Sequence, residues 1–118
     1  MIAIIGGGAA GLMAAAYAAE ICDPDTDEIL LIEQNDRMGK KLRITGKGRC
    51  NLTNDCDRDE FLQNVPTNPR FLYAALAGFD TKDTQDYFES LGVPLKVERG
   101  KRVFPVSDKA GDVVEALV

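Results

Sequence analysis

The chain has 118 residues, of which 45% are hydrophobic and 28% charged, as is typical of one soluble globular domain. Its formal net charge of −5 argues against nucleic acid or an anionic membrane surface as the main partner. Histidine, the commonest metal ligand and general base, is absent, so we expect no metal site and assign no catalytic residue.

The uncharged stretch of residues 2–19 raises the question of a membrane span or a secretory signal. Its first half is rich in glycine, no basic residue precedes it, and Glu20 follows at once. A spanning helix needs about 20 mostly apolar residues, and glycine disfavours a helix interior. We therefore expect neither feature. Three cysteines at irregular spacing then indicate reduced thiols in a cytoplasmic protein.

The first predicted elements form a strand–helix–strand unit within residues 1–33. A short apolar run at residues 2–5 ends at glycine and predicts a buried strand. The alanine-rich stretch from Ala10 to about Cys22 predicts a helix, and a second apolar run at 29–33 predicts a second buried strand. This order and length are typical of a right-handed βαβ unit. The sequence therefore predicts an α/β fold of the Rossmann type.

A glycine-rich loop with the pattern G-x-G-x-x-G joins the first strand to the helix, through Gly6, Gly8 and Gly11. In dinucleotide-binding folds the first glycine permits a tight turn, the second lets the backbone approach a pyrophosphate, and the third lets helix and strand pack closely. The start of the helix also attracts phosphate. The alternative interpretation is a purely structural turn.

Glu33 closes the second predicted strand, where a carboxylate accepts hydrogen bonds from ribose hydroxyls. Its negative charge would repel a 2′-phosphate, which disfavours NADP at this site. The alternative is a solvated acid at the end of a strand.

Residues 34–56 predict an ordered, basic, glycine-rich flavin loop with one short helical turn near 39–43. After Asp36 its basic side chains are uninterrupted by acidic ones as far as Asn51: Arg37, Lys40, Lys41, Arg43, Lys47 and Arg49. They would neutralise a pyrophosphate or stabilise charge on a reduced flavin, or they form a solvated surface. Two glycines around Lys47 suit a close approach of the backbone to a ligand.

Cys50 and Cys56 raise the alternative of a redox-active disulfide, which flavin disulfide reductases carry soon after their first βαβ unit. The spacing here is one residue longer than in that class, and the flanking residues differ. We therefore expect thiols that pack or lie exposed.

Residues 57–118 predict helices plus one β-hairpin. The predicted helices lie at 58–63, at 70–78 and at 81–91, the last one capped by Asp80 or Thr81 and followed by Gly92. Runs 95–98 and 101–104 around Arg99-Gly100 predict the hairpin, and Ser107 is expected to cap a last helix from Asp108 onward. This helix has no stop signal, and a doubly wound sheet needs more than two strands. We therefore expect residues 1–118 to be the N-terminal part of one longer FAD-binding domain.

Two segments resemble the aminoacetone-oxidase-like, BaiN-type flavoproteins: residues 39–54 (GKKLRITGKGRCNLTN), and residues 91–100 together with 102–105. The resemblance covers nearly the whole chain and implies FAD held in a Rossmann fold of the glutathione reductase type. It implies that the pyrophosphate meets Gly6, Gly8, Ala10 and Gly11, that Glu33 binds the adenosine ribose, and that Lys41 lies near the same end of the cofactor. Along the ribityl chain and flavin it implies contacts from Thr45, Gly46, Gly48, Arg49, Cys50 and Asn51.

The function implied by this resemblance is that of an FAD-dependent oxidoreductase acting on a small-molecule substrate, with NAD(P)H as a candidate electron donor for the intact enzyme. Members of the family are much longer than this chain, and their later segments complete the flavin and substrate sites. Two alternatives stay open: a non-catalytic module that holds NAD or FAD, and a truncated fragment without activity. The substrate, the electron acceptor and the oligomeric state are left open.

Overall fold

The computed structural model describes all 118 residues, which divide into two compact units. The first unit comprises Met1–Cys50 and Lys109–Val118, and the second comprises Asn51–Asp108. The boundary between the units therefore lies inside the predicted loop 34–56.

The first unit is a βαβ unit with one further helix. Its elements are β1 (Ile2–Ile5), α1 (Ala9–Ile21), β2 (Ile29–Ile32), an interrupted 3₁₀ segment (Leu42–Gly48) and α5 (Ala110–Leu117). Strands β1 and β2 pair in parallel, and α1, which connects them, packs against both. A parallel pair joined by a crossover helix is the starting unit of a Rossmann fold. Helix α5 packs against α1 and against the 3₁₀ segment.

The core of the first unit lies among the helices rather than around the strands. Leu12 of α1 and Val113 and Val114 of α5 are almost completely buried. The prediction of buried strands is wrong, because Ile5 is 76% exposed and Ile32 is 45% exposed. Alternate residues of a strand point to opposite faces, and only the face toward α1 is covered, so the apolar side chains of the other face meet solvent.

The second unit combines an antiparallel sheet with short helices. Its elements are β3 (Thr53–Asn54), α2 (Arg58–Gln63), a 3₁₀ turn (Pro69–Leu72), α3 (Tyr73–Gly78), α4 (Thr81–Ser90), β4 (Leu95–Glu98) and β5 (Arg102–Pro105). The strand order is β3-β5-β4. Phe88, Val103 and Phe104 form its buried centre.

The predicted α/β class, with a βαβ unit followed by short helices and a hairpin, is confirmed. Helix α4 begins at a capping box, in which Asp80 accepts a hydrogen bond from the Asp83 N–H at 2.9 Å and Asp83 accepts one from the Asp80 N–H at 3.0 Å. Gly92 follows the helix with a left-handed φ of 86°, as a glycine after a helix end should. None of the helices is both long and apolar enough to cross a membrane.

Other local predictions need correction. A helical turn does lie at 39–43, where the Arg43 N–H donates to the Gly39 carbonyl at 2.9 Å. The 3₁₀ segment extends this turn to Gly48, and strand β3 was not predicted. The hairpin loop has three residues, Arg99–Lys101, instead of two.

The last helix begins at Ala110 rather than at Asp108, and no side chain caps it, so the predicted cap by Ser107 is wrong. Asp108 has a left-handed φ of 57° that a helix cannot include. Its N–H donates to the Pro105 carbonyl at 3.0 Å, and its carboxylate accepts from Lys96 Nζ at 2.8 Å. These contacts hold the chain in a turn before the helix starts.

Candidate functional site

The turn from β1 into α1 begins at Gly6, which continues the parallel pairing beyond the strand. Its N–H donates to the Ile32 carbonyl at 2.7 Å, and its φ of 100° lies in the left-handed region that favours glycine. The backbone can therefore leave the sheet edge and enter the helix within two residues.

Gly11 and Gly8 occupy very different surroundings. A Cβ on Gly11 would lie 1.8 Å from the Gly6 carbonyl oxygen, so close contact between helix and strand requires glycine there. A Cβ on Gly8 would meet no protein atom within 4 Å, and the Gly8 φ of −82° suits any residue. Neither conformation nor packing within the protein explains a glycine at position 8.

Gly8 precedes the first turn of α1, where backbone donors are available. The first helical hydrogen bond runs from the Leu12 N–H to the Gly8 carbonyl at 2.9 Å. Helix geometry gives the N–H groups of Ala9, Ala10 and Gly11 no acceptor four residues earlier in the same helix. No acidic residue lies in this turn. The open Gly8 position beside these donors therefore fits an anion that approaches the backbone closely.

The carboxylate of Glu33, which follows β2, bonds directly to this glycine-rich loop. Its Oε2 accepts from the Gly7 N–H at 2.7 Å. Its Oε1 accepts from the backbone N–H of Asn35 at 2.8 Å and from Asn35 Nδ2 at 2.7 Å. The backbone donation from Asn35, followed by that from Gly7, lowers the pKa of Glu33 below its ordinary value of 4.5. The side chain is therefore an anion at neutral pH.

Gly7 is held by the segment after β2 on two sides. Besides its bond to Glu33, its carbonyl accepts from the Gly39 N–H at 2.7 Å. A Cβ on Gly7 would lie 2.3 Å from Met38 Sδ and 3.1 Å from Glu33 Cβ. The sequence reasoning missed Gly7, Asn35, Met38 and Gly39. The run of three glycines was a signal for Gly7, and the Asn two residues after Glu33 was a signal for a local side-chain turn.

The basic segment is anchored to α5 and only partly available to a ligand. Gly39 has a φ of 65°, and a Cβ on it would lie 2.8 Å from both Cγ atoms of Val114. Arg43 Nε donates to the Met38 carbonyl at 3.1 Å, so Arg43 has a structural role. Arg49 is partly buried, whereas four basic side chains are exposed: Arg37, Lys40, Lys41 and Lys47.

The stretch Thr45–Cys50 is a tight loop with unusual backbone conformations. Left-handed φ values occur at Gly46 (55°), Lys47 (57°), Gly48 (85°) and Cys50 (62°). Such values are uncommon for residues other than glycine and tend to cluster at functional sites. The Cys50 N–H donates to the Thr45 carbonyl at 3.0 Å, and Thr45 Oγ1 donates to the Leu42 carbonyl at 2.6 Å. The loop thereby fixes its own shape.

The cysteines are free thiols and lack the features of a redox pair. Cys50 and Cys56 are both buried, and Cys22 is partly buried. Burial raises the pKa of the Cys50 thiol, against a lowering effect of a hydrogen bond with Thr45, and burial also raises the pKa of Cys56. Redox-active cysteines have lowered pKa values and partial exposure instead.

The structure thus brings the predicted residues of the glycine loop together with Glu33. Gly6, Gly8, Ala10 and Gly11 lie on one turn, to which Glu33 is bonded through Gly7. Lys41, Thr45, Gly46 and Gly48 belong to the segment that contacts this turn through Gly39. Cys50 is completely buried, its backbone as well as its side chain, so no part of this residue is exposed to a ligand. Asn51 is exposed and belongs to the second unit.

Comparison with known proteins gives a family match and several relatives. The family model described as HI0933-like protein Rossmann domain matches residues 1–118. The chain is 40% identical over 116 residues to the 3-dehydro-bile acid delta(4,6)-reductase of Clostridium scindens. It is 33% identical over 116 residues to the ribosomal RNA dihydrouridine synthase of Escherichia coli, and 29% identical over 115 residues to that of Haemophilus influenzae. These alignments cover 97–98% of this chain but 27% of each relative, so the chain spans about a quarter of the length of these relatives.

Proposed function

Because this chain belongs to the HI0933-like Rossmann-domain family, we propose that it forms the nucleotide-binding part of an FAD-dependent oxidoreductase. The observation that carries the proposal is Gly8, whose glycine is required neither by its backbone conformation nor by its protein neighbours. A ligand whose phosphates come close to the backbone supplies the missing reason. Bound FAD supplies the redox chemistry, while the protein binds and orients it.

Each part of the site has a role in this proposal. The first turn of α1, including Ala10, donates to the pyrophosphate. A carboxylate has about four acceptor sites, of which Glu33 uses three, so one site on Oε2 is available for a ribose hydroxyl. The same anion disfavours a 2′-phosphate and hence NADP. The fixed backbone of Thr45–Cys50, which a site for NAD does not need, favours FAD over NAD.

The reaction that we propose for the intact protein is reduction of a carbon–carbon double bond. One relative is named as a delta(4,6)-reductase, and the other two are named for making dihydrouridine, which is uridine with two added hydrogens. Both names describe saturation of such a bond. We propose a small-molecule substrate, because the net charge of −5 gives this part of the protein no attraction for RNA, and we propose NAD(P)H as the electron donor.

The proposal is tested first by purifying the full-length protein and titrating it with FAD, NAD and ADP by calorimetry. We expect FAD to bind most tightly and its absorption spectrum to bleach when NADH or NADPH is added. A colourless protein that FAD cannot reconstitute, or a preference for NAD, contradicts the proposal. FAD that binds and is never reduced by a donor indicates a non-catalytic module instead.

The role of Gly8 is tested by Gly8→Ala, with Gly78→Ala as the matched control. A Cβ meets no atom within 4 Å at either position, but Gly78 lies at the end of α3, in the second unit. We expect Gly8→Ala to keep its circular dichroism and melting temperature and to bind FAD at least about tenfold more weakly, because the Cβ occupies the space of the pyrophosphate. Wild-type affinity in Gly8→Ala contradicts the proposed site.

A further inference from the structure

We infer that Asn35 is a positioning residue for Glu33, holding its carboxylate so that Oε2 serves both the glycine-rich loop and the nucleotide ribose. The contact of Oε2 with the ribose rests on the proposed function. The contact of Oε2 with the glycine-rich loop does not, since it lies within the protein. Neither the sequence motif nor the family match assigns a role to Asn35.

Asn35 donates two hydrogen bonds to one oxygen of Glu33. Its backbone N–H and its Nδ2 approach Oε1 at 2.8 and 2.7 Å. These two bonds use the two lone pairs of Oε1. Oε2 is then left for the Gly7 N–H at 2.7 Å, with one further acceptor site. Asn35 thus fixes the orientation of the carboxylate, so that one of its two equivalent oxygens faces the loop.

The orientation of a carboxylate depends on such contacts. The terminal torsion of a Glu side chain has a broad energy profile, so hydrogen bonds rather than rotamer preference fix it. Glu33 accepts its hydrogen bonds from Asn35 and Gly7. The backbone of Gln34 has the smallest effect on the pKa of Glu33, partial burial acts in the opposite direction, and no charged side chain is among the causes. Asn35 itself is exposed, so replacing it opens no cavity. A loss of its donor should therefore act through Glu33 and not through the core.

The test compares Asn35→Leu, which removes the side-chain donor at similar size, with Asn35→Asp, which replaces the donor by a second carboxylate. Gln34→Leu is the matched control, because Gln34 acts on Glu33 through its backbone N–H, which the substitution keeps. Carbon-13 NMR gives the pKa of Glu33 in cofactor-free full-length protein, and hydrogen exchange gives the protection of the Gly7 amide. Calorimetry gives the FAD affinity.

We expect both Asn35 variants to raise the pKa of Glu33, to expose the Gly7 amide to faster exchange and to weaken FAD binding by about three- to tenfold, the range of one lost hydrogen bond. Asn35→Asp should show the larger effects because it adds a like charge. The control should match the wild type in all three readouts.

An unchanged Glu33 pKa and unchanged Gly7 exchange in both Asn35 variants overturn the inference, whether or not FAD binds. Unchanged FAD affinity in these variants, in a protein that does bind FAD, overturns its ribose part. A wild-type protein that fails to bind FAD refutes the proposed function, and the two NMR readouts then decide the positioning of Glu33 alone.

Discussion

At the scale of single residues, the glycines of one motif are required for different physical reasons. A Cβ at Gly11 would overlap the Gly6 carbonyl, whereas a Cβ at Gly8 would meet no protein atom. The sequence pattern requires glycine at both positions and does not distinguish the two reasons. The structure assigns the first to the contact between helix and strand and leaves the second to be explained by what approaches the loop from outside.

This difference predicts that alanine lowers the stability of the protein at position 11 and leaves it nearly unchanged at position 8. Alanine in a helix normally stabilises by about 0.5–1 kcal/mol relative to glycine, yet a Cβ 1.8 Å from the Gly6 oxygen forces the backbones apart. We expect Gly11→Ala to lower the free energy of unfolding by about 1–3 kcal/mol, the usual cost of overpacking. Gly8→Ala should change it by less than about 0.5 kcal/mol. Urea unfolding measures both, and a Gly11→Ala protein as stable as the wild type contradicts the helix–strand contact.

The sequence identified the glycine loop and Glu33 because the motif and the strand end are local patterns. It did not identify Gly39 or Met38, whose contacts with Gly7 join segments that are far apart in the chain. Nor did it show that the Cys50 side chain is buried, since burial depends on tertiary packing.

At the scale of elements, helix α4 was predicted to within one residue because its start and stop signals are local. Asp80 and Asp83 form the capping box, and Gly92 supplies the left-handed residue after the end. The start of α5 was predicted wrongly because the ion pair between Lys96 and Asp108 holds the chain in a turn, and that pair belongs to tertiary structure.

The capping box predicts the effect of replacing Asp80. Asp80→Ala should lower the free energy of unfolding by about 1 kcal/mol, within the usual 0.5–2 range for a lost cap, and Asp80→Asn by less, since asparagine also caps well. The control is Asp86→Ala in the same helix, whose ion pair with Lys82 is exposed and should contribute less than about 0.5 kcal/mol. Urea unfolding at pH 7 measures all three variants. Equal losses in Asp80→Ala and Asp86→Ala contradict the cap.

The difference in stability between the wild type and Asp80→Ala should depend on pH. Hydrogen bonding to the Asp83 N–H, the largest cause, lowers the pKa of Asp80 below its ordinary value of 3.8. A lowered pKa stabilises the folded state above the unfolded pKa, and this contribution is lost as the pH falls through the folded value. The gap in stability between wild type and Asp80→Ala should therefore be full at pH 7 and narrow below pH 3.8. A gap that stays constant down to acid pH contradicts a charged cap.

At the scale of the whole molecule, the fold class was predictable because the βαβ unit is continuous in the sequence. The division into two units was not, since α5 comes after the second unit in the chain but packs against α1 and the 3₁₀ segment of the first. No pattern within α5 itself indicates which unit it joins. The exposure of β1 and β2 was not predicted either. The apolar composition of a strand shows that it can be buried, but it does not show whether another element covers it.

The rates at which the three cysteine thiols react can be measured in both units. Cys50 is buried in the first unit and Cys56 in the second, while Cys22 is only partly buried. A thiol reacts as its thiolate, and burial raises the pKa of Cys50 and of Cys56, so both their access and their ionised fraction are reduced. Cys50, which is completely buried, therefore reacts only when its unit opens, whereas Cys22 reacts without opening.

We accordingly expect a disulfide reagent to modify Cys22 first in the native protein, the 9% exposed Cys56 more slowly, and the completely buried Cys50 at least about a hundredfold more slowly. Peptide mapping assigns the sites. Cys22→Ser, the control, should lose only the fast phase. In denaturant all three thiols should react at similar rates. Fewer than three thiols in denaturant would reveal a disulfide and restore the redox-pair alternative. A fast reaction of Cys50 in the native state would contradict its burial.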